Sequence, residues 1–385
     1  MDVPEIPAAR PGRARRMTLR RRAAAAPFAA LAAAAWSLAP ARAWAHVKWF
    51  APFDVAEPPV PIAAGVLAPR FLLALSGAAL AVFFGFLLDR SAARSPSRRV
   101  APPGRGRRDE IAERLLRAGT GAFFVALFAA GGVILTPELR TDAAWPAWLQ
   151  FGIAATMLSA RTCVLGAAGI LALYGYGAAL YGAFHIADYP MFLGLAAYLA
   201  LTSSASERLR ALRMPAVYAG ICASLMWAAV EKWAYPHWTF PLLEERPYLA
   251  FGLPREDFMA LAGFVEFALA FHILTGLGLL RLGIVALGAI FTAAILDFGK
   301  LDLIGHLPIL SALAAMFAHG PTALHRRLHD ARRGLFAEAR KAGVSFAAAI
   351  CLFVAAYYGL QHAEYGGAAG AARRVAALAA APHAH

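Results

Sequence analysis

Apolar residues run through this chain in long blocks rather than in stripes. Blocks at about 70–88, 117–135, 147–160, 163–184, 189–203, 215–231, 257–279, 282–298, 303–318 and 343–361 are apolar at nearly every position. A helix of about 20 such residues crosses the ~30 Å hydrocarbon core of a bilayer. The pattern therefore predicts an all-α fold, a polytopic membrane helix bundle of about ten transmembrane helices. The third and fifth blocks are short, and tilted or partly re-entrant seating is expected for them.

The segments between the blocks set the domain plan. From Met17 the chain reads MTLRRRAAAAPFAALAAAAWSLAPARAWA, a basic stretch, an Ala-rich stretch and the small-residue end Ala43-Trp44-Ala45. Those are the three parts of a secretory signal peptide, so residues 1–45 read as a leader and His46 as the first residue after cleavage. Residues 46–69 form a periplasmic segment, 70–203 a first helical unit with a basic cytoplasmic loop at 89–116, and 204–318 a second unit of four helices. A basic cytoplasmic loop at 319–342, a last span at 343–361 and a low-complexity periplasmic tail at 362–385 follow.

Composition agrees with a membrane-embedded chain: 60% of the 385 residues are hydrophobic and 16% are charged. The net charge of +14 is distributed as orientation signals rather than as a nucleic-acid surface. Loops expected inside hold twenty Lys and Arg after residue 45, and segments expected outside hold nine. This bias places the chain in a bacterial inner membrane with both mature termini periplasmic. Trp49, Trp145, Trp148, Trp233 and Trp238 fall at the outer boundaries, as an interfacial aromatic belt would. The expected partner is the lipid bilayer, with no nucleic acid. Three histidines of the last basic loop, His319, His325 and His329, are expected to be solvated or lipid-facing.

Spans two to five and six to nine share a plan. Each starts after Arg, turns at a single Arg on the inner side, and has a polar outer elbow, HIADYPMFLG in one and LDFGKLDLIG in the other. Four spans per copy give both copies the same orientation, two four-helix units in parallel repeat. The segment from about 209 to 318 resembles the DoxX-like membrane proteins, through Arg213, Gly220 and Lys232 in RMPAVYAGICASLMWAAVEKW and through GFVEFALAFHILTG and DFGKLDLIGHLP. The resemblance implies a four-helix unit associated with quinone-linked redox chemistry and with other membrane redox subunits. The first unit has TPELR where that motif has Lys, so no functional residue carries over to it.

Ionisable residues inside a bilayer are costly and mark functional sites. Glu266, Asp297, Lys300 and His306 make a candidate pocket, with Glu231, Lys232, His237 and Asp302 at its rim, all in the outer half of the second unit. Glu266 lies about eight residues into span seven, roughly 12 Å deep at the helical rise. Asp302 and His306, four apart, share a face wherever the ninth span is helical. Such a set suits four readings, one of them a divalent metal held by His306, His237 and carboxylates around one ion. His or Lys can donate to a quinone carbonyl beside a carboxylate that takes protons. Buried carboxylates can carry protons in a permease. The same charges can instead pair with one another and hold helices in register, as in a non-catalytic assembly factor.

Two other histidines read as structural, His272 as packing and His185 as part of an outer elbow. His46 offers an amine and an imidazole nitrogen to copper once the leader is cut, an incomplete ligand set that makes metal handling a further alternative. In the plainer reading Lys48, Trp49 and Phe50 anchor the chain among lipid headgroups.

Overall fold

A computed structural model describes residues 47–94, 105–329 and 334–367. The leader, His46 and the tail beyond residue 367 lie outside the described residues, as does the middle of the first basic loop. Ten helices of twelve or more residues organise the described chain: α1 (Pro69–Arg94), α2 (Arg105–Ala130), α3 (Trp145–Thr156), α4 (Cys163–Tyr181), α5 (Pro190–Thr202), α6 (Arg213–Ala234), α7 (Arg255–Thr275), α8 (Leu280–Phe298), α9 (Lys300–His319) and α10 (Leu335–Tyr365). The only β pairing among the described residues is the isolated bridge between Val133 and Arg140.

Seven of these, α1, α4 and α6 to α10, are long and apolar enough to cross a membrane. The remaining three fall short of the ten expected spans for identifiable reasons. At 1.5 Å per residue, α3 with 12 residues and α5 with 13 reach roughly 18–20 Å. Helix α2 is long, but Asp109, Glu110, Glu113, Arg114 and Arg117 occupy its first half. It begins at Arg105 rather than near residue 117, so much of the segment read as a basic loop is helix.

Each helix from α2 to α9 packs against its successor, and α9 packs against α2, closing a ring of eight. Helices α1 and α10 pair with each other outside the ring and rest on α7 and α6. Close crossings are made at small residues. A Cβ added at Gly220 of α6 would lie 2.8 Å from the Cα of Gly194 on α5, so the two backbones touch there.

The basic end of the bundle is fastened by buried polar groups. Asp89, fully buried near the end of α1, accepts from the backbone N–H of Leu277 (3.0 Å) and of Leu279 (2.6 Å) in the α7–α8 turn. Arg90 bonds Asp89 at 3.0 Å and donates to the Thr275 carbonyl at 3.1 Å. This clamp lies just past the predicted end of the first span.

His325 is fully buried beneath the 323–328 helical turn, contrary to the expectation that it is solvated or lipid-facing. Its Nε2–H donates to the Ile273 carbonyl (3.0 Å) while Nδ1 accepts from the Thr322 N–H (3.2 Å). Both ring nitrogens are used by the neutral tautomer, and burial lowers the pKa from its usual value. The unfolded chain thus binds a proton below about pH 6.5 that the folded chain refuses, so stability falls as pH drops through that range and is flat above it. Thermal unfolding of the detergent-solubilised protein is expected to show this acid loss, and His325→Gln to flatten it. An unchanged pH profile in that variant would show that His325 is not the group responsible.

Candidate functional site

Two elbows and the segment before α1 meet at the end of the bundle opposite the Asp89 clamp. After α2, Gly131 and Gly132 take positive φ (67° and 62°) and turn the chain into a loop closed by Ile134 N–H to Leu139 O at 2.8 Å. The Gln150 amide on α3 holds that loop through the carbonyls of Val133 (2.6 Å) and Ile134 (2.7 Å), placing Glu138 inside. After α4, Gly182 (φ 87°) breaks the helix, residues 183–186 make one further turn, and Pro190 starts α5. This second elbow aims His185, Asp188 and Tyr189 inward, and all three are buried.

Glu138 receives the Tyr189 hydroxyl in a short hydrogen bond and lies 3.1 Å from His185 Nε2. Facing them, Val47–Trp49 forms a single 3-10 turn that inserts between the helices. Lys48 is 5% exposed; its ammonium bonds Asp188 and sits 2.6 Å from Glu231 of α6. The rings of Trp238 and Phe53 lie 5.4 and 5.6 Å from the same nitrogen. Burial alone would depress the pKa of Lys48, but Asp188, Glu231 and Glu138 overcome it, and the group is held protonated well above its ordinary range. For Asp188 burial outweighs the pull of Lys48, and the carboxyl rises above its usual range.

A second polar group stands beside the first. Lys232 of α6 pairs with Glu266 of α7 at 2.7 Å. His306 Nδ1 is 3.0 Å from Asp302 within α9, which is helical from Lys300 onward, as their spacing requires. The imidazole of His306 lies between Trp49 (4.9 Å between ring centres) and Phe291 (4.6 Å). Gly305 makes room for the indole, since a Cβ there would lie 1.8 Å from it. A cavity of about 60 Å³ joins the two groups, bounded by Asp188, Tyr189, Trp49, Lys232, Glu266 and His306 and walled by Leu287, Ile290 and Ile309. That volume suits one or two water molecules.

Of the eight residues picked out in the second unit, the structure gathers Lys232, Glu266 and His306 on the cavity, with Asp302 behind His306. Glu231 turns to the other side, toward Lys48. Three residues fall elsewhere. Asp297 meets the Tyr248 hydroxyl at 3.4 Å, Lys300 is exposed, and His237 pairs with Glu57 at 3.1 Å on the surface. Gly299 (φ 76°) separates α8 from α9, so the three-residue spacing of Asp297 and Lys300 does not put them on one helix face. The copper reading of His46 falls outside the described residues.

Lys48, Glu138, His185, Asp188 and Tyr189 had no place in the sequence-level pocket. His185 joins a charge cluster instead of a plain elbow, and Lys48 is buried instead of seated among headgroups. Ligand atoms of Glu138, His185 and Asp188 lie within 4.8 Å of one another, close enough for a metal ion, but the Lys48 ammonium already supplies a cation to Asp188.

Replacing Lys48 by Met removes the cation and leaves Asp188 and Glu231 facing each other without it. Breaking a buried pair in this way costs about 3–5 kcal/mol. Lys48→Met is expected to unfold at markedly lower temperature, and adding Asp188→Asn and Glu231→Gln to restore most of the loss. A Lys48→Met protein as stable as wild type would show that the ammonium is not buried among these carboxylates. No protein-family model, curated protein or solved structure matches this chain, so the site is read from its own chemistry.

Proposed function

We propose that this chain is a multi-pass membrane protein that carries protons through a water-sized cavity, coupled to movement of a small solute. One observation supports this above the rest: the single ammonium of Lys48 is shared by two buried carboxylates, Asp188 and Glu231. The second negative charge needs a proton, on a carboxyl or on His185 beside it. Protonating an ordinary carboxylate at pH 7 costs about 4 kcal/mol, three pKa units at 1.36 each. Leaving an ion buried without a partner costs several kcal/mol. The two costs are comparable, so a proton in this cluster is neither locked in place nor absent. Asp188, which lines the cavity, is the proposed carrier, and the Lys232–Glu266 pair the proposed acceptor on the far wall. The cavity volume favours water and protons over a larger group.

The closed order of α2 to α9 supports reading 114–203 and 209–318 as two copies, ten spans in all when α2, α3 and α5 are counted. On that reading Lys48 supplies the first copy with the ammonium that TPELR lacks and that Lys232 provides in the second. The basic loops favour an inner-membrane location with periplasmic ends, and the polar cavity then opens outward.

A DoxX-like, quinone-linked redox role is the second reading, favoured by the wall of Trp49, Phe291, Leu287 and Ile290 beside two nitrogen donors, Lys232 and His306. A quinone ring needs more room than the cavity offers, so that role requires the helices to part.

Reconstituted vesicles loaded with a pH dye test the two readings. Solute-driven proton movement is expected for wild type, falling to the rate of empty vesicles in Asp188→Asn and in Glu266→Gln. Equal rates in wild type and variants would remove these groups from the path. Saturable binding of a short-chain quinone, lost in His306→Ala and without proton movement for any solute, would favour the second reading.

A further inference from the structure

At the opposite end of the bundle lies a larger cavity, about 650 Å³, that the proton path does not use. Arg213 begins α6 and Lys232 nearly ends it, a rise of roughly 28 Å, so the two cavities belong to opposite faces of the membrane-spanning part. Four arginines from three segments line it: Arg108 from α2, Arg210 and Arg213 from the entry to α6, and Arg326 from the turn after α9. Three carboxylates accompany the four arginines: Asp109, which lies 3.2 Å from His319, Glu207, whose side chain is 92% exposed and 4.0 Å from Arg210, and Glu113 beside the cavity, which pairs with Arg213. Positive charge is therefore in excess.

Three of the four arginines, Arg210, Arg213 and Arg326, are held by carbonyls of their own segments. Arg210 Nη1 donates to the carbonyls of Ser204 (2.7 Å) and Ala205 (3.0 Å). Arg213 donates to the Arg210 carbonyl (3.2 Å), pairs with Glu113 (3.1 Å) and lies over the Tyr198 ring at 5.6 Å. Arg326 donates to the Pro321 carbonyl at 2.9 Å. Arginine presents its donors in a planar fork that matches the oxygens of phosphate. The positive end of a helix dipole adds to this, because Met214 and Pro215 of the first turn of α6 line the cavity and no side chain caps that helix. Tyr198, Met214 and Pro215 give the inner wall an apolar character, at the end of the bundle where α6 begins.

We infer that this cavity binds a phosphate group, and that the headgroup of an anionic phospholipid supplies it. Basic pockets between helix ends recognise such headgroups through a few fixed cations. The inference rests on the membrane-embedded fold and is independent of the proton-carrying role of the other cavity.

The test uses the full-length protein in nanodiscs of phosphatidylcholine, with and without phosphatidylglycerol, and in phosphatidylcholine with added inorganic phosphate. Phosphatidylglycerol is expected to raise the unfolding temperature saturably. Binding should weaken roughly thirtyfold in the double variant Arg108→Gln/Arg326→Gln, at about fivefold per cation removed. Arg161→Gln, an exposed charge outside the cavity, is expected to behave as wild type. The same saturable effect from inorganic phosphate, lost in the same double variant, would keep the phosphate site and make free phosphate its source. Equal stability in all three conditions, or the same loss in Arg161→Gln, would overturn the inference. Native mass spectrometry of the wild type adds a readout that needs no variant: an anionic lipid retained through purification is expected, and its absence together with indifference to added lipid and phosphate would overturn the site.

Discussion

The arrangement of the bundle end opposite the Asp89 clamp depends on one buried ammonium. Lys48 comes from a short turn outside the helices, yet its nitrogen reaches Asp188 in the elbow before α5 and Glu231 near the end of α6. Taking these ions from water costs several kcal/mol each, and their mutual attraction returns that only with close geometry. The contact therefore fixes three separate segments at once. It also seats Trp49 against Gly305 and His306, which gives the cavity one of its walls.

The imbalance that makes the site chemically interesting follows from the same contact. A fixed ion pair with matched charges is inert, and the Lys232–Glu266 pair alone would look like that. One ammonium between two carboxylates is not matched, and protons are the small cations that can complete it. The clamp of Asp89 and Arg90 at the other end differs in its donors. There two backbone N–H groups and a guanidinium bind the Asp89 carboxylate and hold the α7–α8 turn, while the buried Glu338 lies 3.9 Å from the same guanidinium.

The helices were legible in the sequence because burial in lipid leaves an unbroken apolar block, a signal local to each segment. Asp302 and His306 were legible for the same reason, since a four-residue spacing on one helix is a local fact. Lys48 was not, because a lysine before the first span reads as an interfacial anchor until the fold brings carboxylates from residues 188 and 231 around it. Glu138 and His185 were hidden likewise, 47 residues apart and joined only by two glycine-broken elbows. Asp297 and Lys300 show the opposite failure, where close spacing suggested a partnership that Gly299 undoes by ending one helix between them. His325 was expected to be solvated or lipid-facing because its loop is basic, while its burial depends on Ile273 of a helix far along the chain.

The most direct measurement is the carboxyl infrared spectrum of the protein in bilayers across neutral pH, compared with that of Asp188→Asn. The expected result is a band from a protonated carboxyl at neutral pH that is lost or shifted in the variant. A spectrum with every buried carboxyl ionised at neutral pH, unchanged by the substitution, would contradict the proton-carrying role and leave Lys48 and its partners as a fixed structural cluster.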